Sequence, residues 1–379
     1  MEAAKTTGKT GRVLQVVMGL NRTGIDNVVM NLYRHIDREH WQFDFAVFSN
    51  EEGAHEAEAK GLGAKIFHIT PRSVNWKASQ KDLETLFHET NYQIVHAHQD
   101  CLSADILRRA KEAKVPIRIA HAHTTQYPVG WRRYYYAIAK HQIPCTATHL
   151  MACSEAAGRW MFGQRAAKKG RIFILNNAVD TKQFAYSATR RSLKRKETRL
   201  EKHFVLLNVG RLAPVKNQAF LLDMMPFIIA ERPECALLIA GTGELEIALK
   251  EQCKKLNLEK NVCFLGEVSV EDYYQAADAM LMPSLFEGVP LAAIEAQIAG
   301  LPVFLSSNIN PDVMFTPSAH SLPLEAGPKA WAKQVLDATG DHSRARRTYA
   351  EEAREHNFDI IGQAKLLSSF YDRCLECNT

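Results

Sequence analysis

Pro283-Ser284-Leu285-Phe286-Glu287-Gly288-Val289-Pro290-Leu291-Ala292-Ala293-Ile294-Glu295 is the stretch on which the reading of this chain turns. It has the form of a strand end, a loop carrying one carboxylate, and a helix that opens with Pro290 in its first turn. The residues from Leu291 to Gly300 are apolar and alanine-rich, as in a helix buried against a sheet. The N-terminus of such a helix offers free backbone N–H groups and the positive end of its dipole, which suits a diphosphate. Glu287 and Glu295 bracket that anion position, and carboxylates accept hydrogen bonds from sugar and ribose hydroxyls. A hydrolytic carboxylate pair needs about 5–5.5 Å or about 6.5–9.5 Å between its members. Eight helical steps rise by roughly 12 Å, so an acid/nucleophile pair is disfavoured.

Upstream, the apolar run Phe204 to Val209 reads as a buried parallel strand. It leads into Gly210-Arg211-Leu212-Ala213-Pro214-Val215-Lys216-Asn217. Arg211 offers a planar fork of donors and Lys216 a compact point charge, a complementary pair for phosphate. The next apolar run, Ala236 to Ala240, ends in Gly241-Thr242-Gly243-Glu244, a tight turn where backbone can approach a ligand. A further strand and loop follow at Val262-Cys263-Phe264-Leu265-Gly266-Glu267-Val268.

These segments resemble the retaining family-4 glycosyltransferases. The family carries P-S-x-x-E-G-x-P with a second glutamate eight positions after the first, as here with Glu287 and Glu295. It also carries G-R-L-x-x-x-K-N or a close variant, as at Gly210 to Asn217. The resemblance extends to Met18-Gly19-Leu20-Asn21-Arg22-Thr23-Gly24-Ile25-Asp26, Val95-His96-Ala97-His98, Ala152-Cys153-Ser154-Glu155 and Asn176-Asn177-Ala178-Val179-Asp180, and so to nearly the whole chain. Members of the exopolysaccharide and capsule type usually have G-G-x-E where this chain has Thr23-Gly24-Ile25-Asp26.

The alternation of strands and helices along the chain predicts an α/β architecture. The resemblance implies GT-B: two doubly wound Rossmann-like domains facing across a cleft. The expected division is an acceptor-side domain over 1–184, a basic linker over 185–202, a nucleotide-sugar domain over 203–355, and a last helix over 356–379 that packs back on the first domain. The implied donor is a UDP-sugar and the implied acceptor a hydroxyl of a glycan or polyprenyl-linked glycan. Glu287 would hold sugar hydroxyls, Glu295 the ribose diol, and Arg211 and Lys216 the diphosphate. Gly24, Asp26, Gly210, Gly241, Gly243, Gly266, Glu267, Gly288, Val289, Pro290 and Leu291 would line the nucleotide-sugar site. His123 would reach the transferred sugar. His121 and His123, at alternate positions, are expected on opposite faces of the strand that begins at Ile117. No cofactor is expected and no metal, since the chain lacks the D-x-D of metal-dependent transferases, although His96, His98, His121 and His123 are potential ligands. The rival readings are a phosphorylase or epimerase on the same plan, and a non-catalytic nucleotide-sugar-binding partner subunit suggested by the altered Thr23–Asp26 loop.

Composition sets the outer limits. The 379 residues, 46% hydrophobic and 23% charged, suit two soluble globular domains. Eight scattered cysteines and no signal peptide point to a reducing cytoplasm, and Cys374-Leu375-Glu376-Cys377 has no second pair with which to bind zinc. Apolar runs are too short to span a bilayer. The net charge of +5 is concentrated at Arg190, Arg191, Lys194, Arg195, Lys196 and Arg199, expected as a solvated linker, with anionic lipid as the functional alternative. Trp131-Arg132-Arg133-Tyr134-Tyr135-Tyr136 mixes aromatics and cations as interfacial segments do, so a peripheral contact with the inner face of the membrane is a possible partner. Nucleic acid is not expected, because no recognition module accompanies the charge.

Overall fold

A computed structural model describes residues 10–21, 24–126, 132–339 and 346–377. Arg22, Thr23 and Trp131, singled out above, lie outside the described residues. The chain divides into two compact units, residues 1–178 with 360–379, and residues 179–359.

The first unit holds seven strands: β1 (Gly11–Val17), β2 (Trp41–Val47), β3 (Ile66–His68), β4 (Ile94–Ala97), β5 (Ile117–Ala122), β6 (His149–Ala152) and β7 (Ile172–Ile174). They form one sheet in the order β3-β2-β1-β4-β5-β6-β7 with every pairing parallel. Strand order reverses between β1 and β4, and open α/β sheets bind ligands beyond the carboxyl ends of strands at such a switch point. Gln15 stands in register with His96 there. One face of this sheet carries a core of Leu14, Val16, Val95, Ala97, Ile106 and Leu107.

The Ile360–Glu376 helix belongs to this unit, although it is the last element of the chain. Its buried stripe of Ala364, Leu367, Phe370, Tyr371 and Cys374 recurs at helical spacing, and Trp41 donates to Asp372 at 3.1 Å. Cys374 is therefore a packing residue, while Cys377 is exposed.

The second unit holds β8 (Phe204–Val209), β9 (Cys235–Ala240), β10 (Val262–Gly266), β11 (Ala279–Met282), β12 (Val303–Ser306) and β13 (Ala319–Leu322). These too are all parallel, in the order β10-β9-β8-β11-β12-β13 with the switch point between β8 and β11. Cores pack on both faces, one around Met280, Met282 and Ile294, the other around Leu221, Phe304 and Trp331. Burial on both sides explains why the inner strands β8, β9 and β11 read as near-continuous apolar runs.

The basic run expected as a solvated linker is instead a helix, Ala188–Glu197, inside the second unit. Arg191 donates to the carbonyls of Gln275, Ala276 and Ala277 at 2.9, 3.0 and 2.7 Å, and to Asp278 at 2.5 Å. Arg195 reaches Ala276 O at 2.9 Å and Asp278 at 3.2 Å, and Arg190 pairs with Asp272. The run thus supplies donors to the carbonyls that end the Glu271–Ala276 helix, where cations also meet the negative end of its dipole. Arg346 joins the same carbonyls, and its burial beside Arg191 pulls its pKa down to about 9. Charge spacing alone could not distinguish this clasp from a solvated surface.

Candidate active site

The second unit gathers its site at the β8/β11 switch point. Asn217 takes the left-handed conformation at φ 55°, joining the turn Pro214–Lys216 to the helix Gln218–Glu231. Its side chain donates to Pro283 O at 3.1 Å, and Leu285 N donates to Val215 O at 2.8 Å. The loops after β8 and β11 are thereby pinned together, and Lys216 forms an ion pair with Glu287 Oε1. Ser284 donates to that same oxygen at 3.1 Å. A cation and a carboxylate assigned separately by sequence, one to phosphate and one to sugar, are thus one unit.

The glycine turn after β9 packs onto the loop after β8 by steric necessity. A Cβ on Gly241, whose φ is +135°, would lie 2.1 Å from Gly210 O, and one on Gly243 would lie 2.4 Å from Leu212 O. Only glycine lets the β9 loop rest directly on the β8 loop. Gly241 N then donates to Gly266 O at 2.8 Å, which brings in the β10 loop. Arg211 and Glu267 are exposed, whereas Val289 and Pro290 are buried beneath the N-terminus of the helix Leu291–Ile298. Pro290 is the residue just before that helix.

Glu295, one turn into the helix, accepts from Tyr274 Oη at 2.7 Å. Burial pushes its pKa up to about 7; the Tyr274 hydrogen bond opposes this and the charge of Glu271 adds to it. Tyr274 itself is wholly buried.

In the first unit, Asp26 is buried and accepts from Asn21 N at 3.0 Å, so its carboxylate ties down its own loop. Gly24 opens the helix Gly24–His35, and a Cβ there would meet nothing within 4 Å.

The four histidines at the ends of β4 and β5 form a single cluster. The rings of His121 and His123 lie 4.1 Å apart between centroids, and those of His96 and His98 4.2 Å. The expectation that His121 and His123 point to opposite faces is therefore wrong, because residues two apart on a strand share a face. His96 Nε2 meets His121 Nδ1 at 3.2 Å, and His98 Nδ1 meets His123 Nε2 at 3.0 Å. Burial holds His96 and His123 down to about pKa 3 and His98 and His121 well below the usual imidazole range. The cluster is neutral at physiological pH. His96, His98 and His121 bring ring nitrogens within 4.8 Å of one another, close enough to share a metal ion.

Sequence reasoning missed several partners: Ser284 on Glu287, Tyr274 on Glu295, and Asp100 beneath His123. Asp100, at φ 47°, accepts from His123 N at 2.7 Å and Thr124 N at 3.3 Å, and burial lifts its pKa to about 6. Gln15, a polar residue inside an apolar strand, was the one legible signal.

Comparisons with known proteins show the family and the fold. Residues 189–356 match the model of the glycosyl transferases group 1, and residues 22–183 that of glycosyltransferase family 4. EpsF of Bacillus subtilis, named as a glycosyltransferase, is 31% identical over 95% of this chain and 96% of its own. A UDP-Gal:alpha-D-GlcNAc-diphosphoundecaprenol alpha-1,3-galactosyltransferase of Escherichia coli is 28% identical over 81% of each chain. Among solved structures, Anabaena Alr3699/HepE in complex with UDP-glucose has a TM-score of 0.79 at 18% identity, covering 96% of this chain and 99% of that one, a likeness of fold. The chain belongs to the family-4 glycosyltransferases, and its two Rossmann-like units are those of the GT-B fold.

Proposed function

We propose that this protein is a retaining, metal-independent glycosyltransferase that moves a sugar from a UDP-sugar to a hydroxyl of a growing or lipid-linked glycan in cell-surface polysaccharide assembly, on the cytoplasmic side of the membrane. The observation that carries the reading is the Lys216–Glu287 pair on two pinned loops at the β8/β11 switch point. The E. coli relative's donor and lipid-linked acceptor support the substrate class.

Lys216 and Arg211 neutralise the diphosphate, together with the backbone N–H groups that open the Leu291–Ile298 helix. Those cations stabilise charge developing on the leaving group, so the chemistry needs no metal. Glu287, oriented by Lys216 and Ser284, accepts from hydroxyls of the transferred sugar, and Glu295 accepts from the ribose diol. His123 supports the transferred sugar. The acceptor oxygen bonds to the anomeric carbon on the face from which UDP leaves, and the acceptor's proton passes to the departing diphosphate oxygen. That path retains configuration.

No described helix is long and apolar enough to cross a membrane. A peripheral contact would draw on the exposed Tyr134, Tyr135 and Ile138 of the Arg132–Thr146 helix, since Arg190, Arg191 and Arg195 are engaged with their own unit.

The test is incubation of the purified chain with UDP-, GDP- and ADP-sugars, with and without chelator. Release of UDP from one UDP-sugar, unaffected by chelator, supports the proposal. Tight binding without turnover would favour the partner-subunit reading suggested by the altered loop at Asp26.

A further inference from the structure

Gln15 is buried in the middle of β1, and its amide stands at the head of two hydrogen-bonded branches. Its Oε1 meets His98 Nε2 at 2.8 Å, and its Nε2 donates to Tyr371 Oη at 3.1 Å. An amide oxygen only accepts, so with the amide in this orientation His98 Nε2 carries the proton. In a neutral imidazole that leaves His98 Nδ1 as an acceptor, and the 3.0 Å contact then requires the proton on His123 Nε2. His123 Nδ1 is left as a bare lone pair. Along the other branch Tyr371 Oη accepts from Gln15, and the acceptor within reach of its own proton among the described residues is His96 Nδ1 at 2.8 Å, so the hydroxyl donates to that nitrogen. His96 Nε2–H then donates to His121 Nδ1, and His121 Nε2 carries a proton.

Both branches end on atoms without a partner among the described residues: His123 Nδ1 and His121 Nε2 are buried and unsatisfied. Unsatisfied buried polar atoms are costly, and here they are a lone pair and an N–H whose rings lie 4.1 Å apart between centroids.

We infer that Gln15 is a positioning residue that fixes the tautomer of all four histidines, so that His123 presents an acceptor and His121 a donor to a polar group such as a sugar hydroxyl. A lone pair at His123, unlike an N–H, also suits positive charge developing on a transferred sugar. This use of the pair rests on the proposed glycosyl transfer; the tautomers themselves do not. Reversing the Gln15 amide would reverse every proton in both branches, so one side chain sets the whole array.

The experiment is long-range 15N–1H correlation on 15N-histidine-labelled full chain at neutral pH, with signals assigned by single His→Gln variants. All four histidines are expected as Nε2–H tautomers with bare Nδ1. Gln15→Met should mix the tautomers of His98 and His123 and lower kcat about tenfold, the worth of one misaligned hydrogen bond, with UDP affinity unchanged. Tyr371→Phe should release the His96–His121 branch and leave the His98 and His123 signals in place. Nδ1–H tautomers at His98 or His123 in the wild type, tautomers indifferent to Gln15→Met, or metal-shifted nitrogens restored by chelator would each overturn the assignment. Correct tautomers in a protein that turns over no UDP-sugar would instead count against the transferase reading alone.

Discussion

Raising the pH from 6 to 8 is expected to tighten UDP binding about tenfold through Glu295. Its carboxyl, pushed up to about 7 by burial on the Leu291–Ile298 helix, is about one-tenth ionised at pH 6 and nine-tenths at pH 8. Tyr274 already donates to Oε2, and a ribose diol is the further donor the carboxylate is proposed to take. Donors favour the ionised form, so binding pulls the pKa down and releases a proton. The sign follows: a group protonated in the free protein and ionised in the complex makes affinity rise as pH passes 7. If only the ionised form binds well, the change is about tenfold, or ~1.4 kcal/mol. Calorimetry of UDP binding, repeated in buffers of different ionisation enthalpy, measures both affinity and protons released. The diphosphate's own titration is common to wild type and Glu295→Gln, so the difference between them reports Glu295. Tyr274→Phe, which removes a bond favouring the carboxylate, should move the midpoint to higher pH. Equal pH slopes in wild type and Glu295→Gln would refute the assignment of Glu295 to the ribose.

Glu287→Ala should lower turnover about 100-fold, a few kcal/mol of transition-state stabilisation, and near-wild-type rates at saturating donor would remove it from the site. Lys216→Ala should weaken UDP binding, and a cycle with Glu287→Ala should be non-additive because the two form one pair. Gly241→Ala, which sets a Cβ 2.1 Å from Gly210 O at a φ of +135°, should cost about 3 kcal/mol in urea unfolding, with a lower midpoint. Asp278→Ala strips Arg191, Arg195 and Val205 N of their shared acceptor and should cost about 3 kcal/mol by the same measurement.

Much of this protein is legible in its one-dimensional pattern. Parallel strands buried on both faces leave unbroken apolar runs, so β8, β9 and β11 announce themselves, and the loops at their ends carry the glycines, Lys216 and Glu287. Even the helical stripe of the last element reads directly, because periodicity records which face is buried. Whatever depends on partners distant in sequence was set by packing. It turned the basic run at 190–199 from a linker into a clasp on helix-end carbonyls, for an arginine's spacing does not reveal which carboxylate will meet it. It joined Lys216 to Glu287 across 71 positions, and placed Gln15 and Tyr371, 356 positions apart, at the head of one histidine array. Protonation of those histidines follows from burial and from hydrogen bonds between strands, and neither is encoded in local sequence: it exists only once β1, β4, β5 and the last helix are packed together.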